Sequence, residues 1–295
     1  MIKQKPQTQA LILLFIAMIS MQSSGSLAKM LFQNFPVLTV SAMRLLLGSL
    51  ILAVIFRIWK TPFKLIQWQS IIGYGVALAG MNALFYLSIE RLPLGIAVSF
   101  EFIGPLGIAL YHARQKFDFI WVGLAILGLI LLFPFKEAEH ALDPLGIFFA
   151  LSAGACWALY IVSGQKPSGI SGNHTVCLGM FVGMLCMMPI AIFVGMPSYV
   201  WQPNNLAFFF ALAILASALP FSLEMFALRN LTPLIFGTLT SLEPAIAALS
   251  GFIFLHEQLL WTQWLALSII ICASIGCTFT TQQAKKALAQ ASSKS

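Results

Sequence analysis

Two carboxylates stand where a sequence of this kind has least use for them. Glu101 lies near the middle of the apolar run Leu94 to Tyr111, and Glu243 sits at similar depth in the run Pro233 to Leu255. Each run is long enough to cross a bilayer, since about twenty helical residues span the hydrocarbon core. An acidic group at the centre of such a helix costs about 2.5–3.5 kcal/mol on insertion scales, so it normally faces a polar cavity or a partner. Around Glu101, the same-face neighbours Ala97, Gly104 and Pro105 either permit close helix contact or leave room for a solute. Beside Glu243, Pro244 removes a backbone donor and Ser241 can bond a freed carbonyl, an environment suited to a cation or an ammonium group. The plainer readings are a carboxylate bonded to a neighbouring helix at 101 and a packing kink at 243. A solute pathway walled by both helices accounts for two such residues at once.

Other polar side chains fall inside apolar runs and are candidates to line that pathway. They are Gln22 and Ser24 in the first run, Asn82 and Tyr86 in the third, and Trp157 and Tyr160 in the sixth, where core aromatics are the commoner use. Arg44 lies well inside the second run and either snorkels to the nearer interface or takes part in an ion pair. Glu224, after Pro220, either reaches an interface or pairs with Arg229. Lys29 and Lys166 either anchor helix ends at the headgroups or form gating ion pairs. A cation or ammonium needs a counter-charge in low dielectric, and a carboxylate supplies it. Of the two midplane acids, Glu101 has the more apolar neighbours and is the candidate proton carrier, leaving Glu243 to hold the ammonium.

The elements that must position these residues follow from composition. Of 295 residues, 60% are hydrophobic and only 8% charged, with mean hydropathy +0.93. Apolar stretches recur with little between them, which predicts an all-α membrane protein of ten spans. The spans are Ala10–Leu27, Val37–Phe56, Ser70–Ile89, Leu94–Tyr111, Phe119–Phe133, Pro144–Ser163, Val176–Val194, Leu206–Ala227, Pro233–Leu255 and Trp261–Thr280. Lys3 and Lys5 before the first span, and Ser26-Leu27-Ala28 at its end, resemble a cleavable signal. The length of the run and its later Gln22, Ser23 and Ser24 favour an uncleaved span. The charged segment Lys136 to Asp143, with Glu137, Glu139 and His140, reads as a link between halves.

Internal repetition supports that division. A shift of 139 brings Leu92 onto Leu231 and Pro105 onto Pro244, a shift of 143 brings Trp121 onto Trp264, and a shift of 137 brings Ser26 and Lys29 onto Ser163 and Lys166. Two five-span units, 10–135 and 144–280, are expected, with a polar, mobile tail over 281–295. An odd number of crossings per unit inverts the second, the arrangement typical of secondary transporters. Twelve of the sixteen basic residues fall at the termini or in the loops that follow even-numbered spans, which puts both termini in the cytoplasm. The charge of +7 is therefore topological, and no nucleic-acid partner is expected.

Several chemistries find no support. Cys156, Cys177, Cys186, Cys272 and Cys277 form no C-x-x-C pair and read as free, buried thiols, and the four histidines lack ligand spacing, so no metal and no cofactor are expected. No H-E-x-x-H, G-x-S-x-G or G-x-x-x-x-G-K-[ST] motif occurs, which argues against an enzyme or an ATP-driven pump. Transport would then draw on a solute or ion gradient. A scaffold or receptor without flux is the rival reading, but it requires neither midplane carboxylates nor an inverted repeat.

The segments GSLAKMLF, FYLSIERLPLGIAVSFEFIGPLGIAL, AGACWALYIVSGQ and LPFSLEMFALRNLTPLIFGTLTSLEPAIAALSGFIFLHE resemble the bacterial drug/metabolite transporter superfamily of EamA type, and within it the threonine and homoserine exporters. The resemblance runs over nearly the whole chain. It implies inner-membrane efflux of small hydrophilic amino acids, coupled to proton entry, through a cavity lined by spans one, three, four, six, eight and nine. An exporter of other amino acids, or a broad metabolite or drug efflux protein, is the alternative within transport. FLHEQLL, with His256 before Glu257, departs from the commoner small-residue-plus-glutamate turn and affects only a loop.

Overall fold

The computed structural model describes residues 5–92, 94–132, 143–246, 249 and 260–292. Among these residues the chain is helical, with short connections and no strand. In chain order the helices are α1 (Lys5–Ser23), α2 (Gly25–Phe32), α3 (Val37–Ile55), α4 (Trp68–Ile89), α5 (Leu94–Glu101), α6 (Ile103–His112) and α7 (Lys116–Leu132). After the link come α8 (Pro144–Gln165), α9 (Gly172–Val194), α10 (Pro203–Ala213), a π-helical segment (Ile214–Ala218), α11 (Leu219–Asn230), α12 (Pro233–Thr240) and α13 (Trp261–Ser292).

Six stretches are long and apolar enough to cross a membrane: Val37–Ile55, Trp68–Ile89, Pro144–Gln165, Gly172–Val194, Pro203–Asn230 and Trp261–Thr281. Gln7–Ser23 and Ile96–His112 are apolar but shorter. The reason is local interruption. Expected spans one, four and nine do not run as single helices, because turns at Ser24, Phe102 and Ser241 divide them. Backbone beyond the 281 boundary, expected as a mobile tail, continues in α13 to Ser292. The Lys136–His140 segment, His256, Glu257, Lys3 and Lys294 lie outside the described residues.

Starts and stops follow ordinary capping chemistry. Asp143 accepts from the Leu145 N–H at 2.9 Å with Pro144 as the first helical residue of α8, and Thr232 does the same for Ile235 at 3.3 Å ahead of Pro233. Gly195 closes α9 in the left-handed region, φ +101°, which a residue without Cβ adopts at no steric cost.

Large apolar side chains point outward along most helices. Phe193 is 92% exposed and Tyr111, Val54 and Ile275 are exposed too, while buried Ser41, Thr39, Thr238 and Glu224 sit inside. That pattern suits a hydrocarbon surround. All five cysteines are free thiols, but only Cys177 and Cys277 are buried; Cys272 is exposed, because it falls on the outward face of α13.

Packing brings distant parts of the chain together. Helix α4 lies against α8 and α9, α3 against α9 and α10, α1 against α11, α6 against α12, and α7 against α13. Two crossings have no room for a side chain. A Cβ on Gly104 would stand 1.9 Å from the Gly154 carbonyl, and one on Gly237 2.4 Å from the Pro105 carbonyl. Gly104 therefore serves close helix contact rather than leaving space for a solute.

The loops gather at two ends. At one, Gln67 N–H donates to Ser168 C=O (2.9 Å) and His174 joins Thr61 Oγ1 (3.1 Å) and Phe56 C=O (3.0 Å). Arg229 donates there to Ser168 Oγ (2.8 Å), Thr175 Oγ1 (2.9 Å) and Ile170 C=O (3.2 Å). At the other, Tyr199 donates to Asn34 C=O (2.8 Å) and Arg91 pairs with Asp143 (2.8 Å).

Candidate functional site

Three buried carboxylates come from three interrupted stretches of helix. Glu101 ends α5, Glu224 lies on α11 and Glu243 follows α12; each is at least nine-tenths buried. Glu243 lies within Coulombic range of both of the others. Each of these stretches is interrupted, and proline explains it. Pro105 cannot donate to the Glu101 carbonyl, nor Pro244 to that of Thr240, so the i→i−4 ladder fails where the acids are. Backbone of α8 at Gly154 lies against the freed Glu101 carbonyl.

The π segment before Glu224 has the same origin. Leu219 N–H bonds back to Ile214 C=O, a five-residue register in which the donor for Leu215 C=O would be Pro220. Ser20 of α1 supplies the missing bond, its hydroxyl donating to Leu215 C=O at 2.7 Å. Two residues on, Gln22 Nε2 donates to the Glu243 carbonyl at 3.3 Å, so α1 touches both irregular segments. Beside Glu243, the hydroxyls of Ser241 (2.6 Å) and Ser274 (3.1 Å) converge on Thr238 C=O.

Aromatic side chains pack beside two of the acids. Tyr160 donates its hydroxyl to Glu224 Oε2 at 2.8 Å and stacks on Tyr74 with centroids 4.9 Å apart. Trp157, one turn away on α8, packs edge-on against Phe102 at 4.8 Å.

A second polar cluster lies between α3 and α4. Arg44, 5% exposed, does not snorkel: its Nη1 donates to Tyr86 Oη (2.9 Å) and its Nη2 to Asn82 Oδ1. Asn82 is oriented in turn by its Nδ2 donating to Leu78 C=O (2.8 Å), and Phe32 of α2 meets the Tyr86 ring edge-on at 5.3 Å. Glu224 and Arg229 do not pair, because Tyr160 takes the acid and the Ser168–Thr175 loop takes the base. Ser24 is buried but donates to Met21 C=O (2.6 Å), and Lys166 is exposed at the end of α8. Lys29 belongs to α2, and its side chain lies outside the described residues.

A protein of many apolar helices, broken at buried acids, has the form of a membrane transporter. Comparison with known proteins is decisive. The chain is 46% identical over 286 residues, 97% of its length and 96% of theirs, to the threonine/homoserine exporter RhtA of Escherichia coli K12, and 46% identical over 281 residues, 95% of both, to RhtA of Salmonella typhimurium LT2. The EamA-like transporter family profile matches residues 144–279. This chain belongs to the EamA-like transporter family. An uncharacterized Bacillus subtilis transporter, YvbV, is 26% identical over 97% of each chain. A crystal structure with TM-score 0.74, covering 92% of this chain and 98% of that one at 16% identity, shares the fold.

Within this EamA-type transporter, sequence reasoning undervalued Glu224 and Arg44. Both lie within reach of a helix end, where charged side chains usually find water. Pro220 was the available signal for Glu224, since a proline on the preceding turn loosens the same backbone as Pro105 and Pro244 do for the other two acids.

Proposed function

We propose that the chain exports small hydrophilic amino acids, threonine and homoserine among them, across the bacterial inner membrane. The carrying observation is the 46% identity, over 97% of the chain, to exporters of those two amino acids. Ten crossings in two inverted five-helix units, 10–135 and 144–280, are the accompanying architecture. In support, helix contacts occur in pairs that exchange under such a symmetry: α4 with α8 answers α11 with α1, and α4 with α9 answers α10 with α3. Both termini face the cytoplasm in this reading. In support, Arg57, Lys60, Lys64, Lys166 and Arg229 belong to hydrogen-bonded loops at one end, against Arg91 at the other.

Chemically, the ammonium of the solute is held by the buried acids, Glu243 first, beside the hydroxyl-rich Thr240–Ser241 turn. Glu101, surrounded by Phe100, Phe102 and Leu106, trades a proton with each side of the membrane, so that proton entry drives solute exit. Purified full-length protein in proteoliposomes tests both steps. Wild type should move labelled threonine and respond to an imposed pH gradient, while Glu101→Gln retains only gradient-insensitive exchange. Threonine flux no greater than in empty vesicles sinks the export reading. Gradient-driven accumulation by Glu101→Gln removes Glu101 as the proton carrier and leaves export standing.

A further inference from the structure

A guanidinium cannot give up its charge inside a protein, so a buried one needs an anion or a complete set of acceptors. Arg44 has neither. Its bonded partners, Asn82 Oδ1 and Tyr86 Oη, are neutral, and among the described residues no carboxylate lies within 4.0 Å of it. Its Nε–H is buried with no acceptor. One turn earlier on α3, on a neighbouring position of the same helix surface, the Ser41 hydroxyl is also fully buried and unpartnered.

The unpaired donors have a fixed geometry. Nη1 and Nη2 are tied to α4, and Asn82 is itself fixed by Leu78 C=O, so the guanidinium plane is set before any ligand arrives. Nε–H remains as a free donor, and an adjacent Nη carries a second hydrogen beside it. Two parallel N–H groups on one side of a guanidinium match the two oxygens of a carboxylate. The Tyr86 ring lies with its centroid 5.5 Å from Arg44 Cζ, and Phe32 meets that ring edge-on.

We infer that Arg44, with Ser41 and held by Asn82 and Tyr86, is the receptor for the α-carboxylate of the transported amino acid. The inference rests on the export reading, which supplies the carboxylate. Arg44 makes the transporter prefer an amino acid to the corresponding amine.

The test is competition in proteoliposomes of the full chain, with labelled threonine as the transported species and either unlabelled threonine or threoninamide, which keeps the ammonium and hydroxyl but has no carboxylate, as competitor. Wild type should prefer threonine by roughly 10- to 100-fold, the range expected for one hydrogen-bonded charge pair. Arg44→Gln should weaken threonine by that factor and leave threoninamide unchanged, so that the preference collapses. Arg44→Lys should keep part of it. Tyr86→Phe and Ser41→Ala each delete a single oxygen, so they report even if the Arg44 variants fail to insert; each should narrow the preference several-fold. An unaltered preference in Arg44→Gln, or in both single-oxygen variants, overturns the inference while export stands. A wild type that moves no amino acid overturns the export reading and this inference with it.

Discussion

The acidic and basic clusters inside this protein are built on opposite kinds of backbone. Glu101, Glu224 and Glu243 lie at or just beyond interruptions made by Pro105, Pro220 and Pro244, where carbonyls are freed and, at Leu215, one is repaired from another helix. Arg44 and its partners lie on α3 and α4, which run unbroken for 19 and 22 residues. Regular helices hold their side chains in one place. Interrupted ones have fewer internal bonds to break when they move. The basic cluster thus sits on regular backbone and the acidic one on backbone with fewer internal bonds, a division that suits the export proposed above, in which the acids meet protons and solute in turn.

The sharpest way to break the comparison is to remove the acids. Double replacement Glu101→Gln and Glu243→Gln should abolish threonine flux, and each single change should lower it by roughly 10- to 100-fold at unchanged membrane insertion. Flux within twofold of wild type in both singles would leave those carboxylates a packing role only.

A change in backbone alone separates charge from looseness. Pro244→Ala restores an N–H for the Thr240 carbonyl, so helix α12 should extend, thermal stability should rise and flux should fall several-fold. Unchanged flux in a more stable variant would show that the interruption is not needed.

A smaller effect is expected from Tyr160→Phe. It deletes the 2.8 Å bond to Glu224 while keeping the ring packed on Tyr74, and should cost about 1–3 kcal/mol, because a buried acceptor is left unsatisfied. Thermal unfolding in detergent reads the loss. The Tyr86→Phe change on the basic side should be milder, because Asn82 still holds the guanidinium.

The smallest effect lies outside the membrane. Arg91 beside Asp143, and then the Leu145 N–H, hold its carboxyl below the usual carboxylate range. A folded value lower than the unfolded one, about 3.9, stabilises the protein at neutral pH. That contribution is complete above the unfolded value and is lost as pH falls through the folded one. Asp143→Asn keeps an acceptor for the helix start and loses the ion pair. Its melting temperature should sit slightly below wild type at pH 7 and converge with it in acid, once the Asp143 carboxyl is protonated in the folded state. A constant difference across that range would assign the effect to capping.

Much of this was legible in the chain itself. Glu101 and Glu243 stand out because a charge in an apolar run has no cheap explanation, and the apolar runs themselves announce the membrane. Other features were visible only as isolated residues. Arg44, Asn82 and Tyr86 are separated by 38 and 42 positions along the chain, and nothing local says that one receives the others. Arg44 reads as a snorkelling side chain until the fold surrounds it, and Glu224 reads as an interfacial partner for Arg229 until Tyr160 is found bonded to it. Trp157 packs edge-on against Phe102, a contact that nothing local foretells.

Sequence determined what is tied to chain position: apolar length, the prolines that break the helices, the caps at Asp143 and Thr232, and the presence of unexplained charge. Hydrogen-bond registers and transfer energies are local properties, so composition alone carries them. Tertiary structure decided which charges meet. Burial and partnership depend on the packing of helices distant in sequence, such as α1 across α11 and Gly104 against Gly154, and no periodicity within one helix encodes the helix it will face.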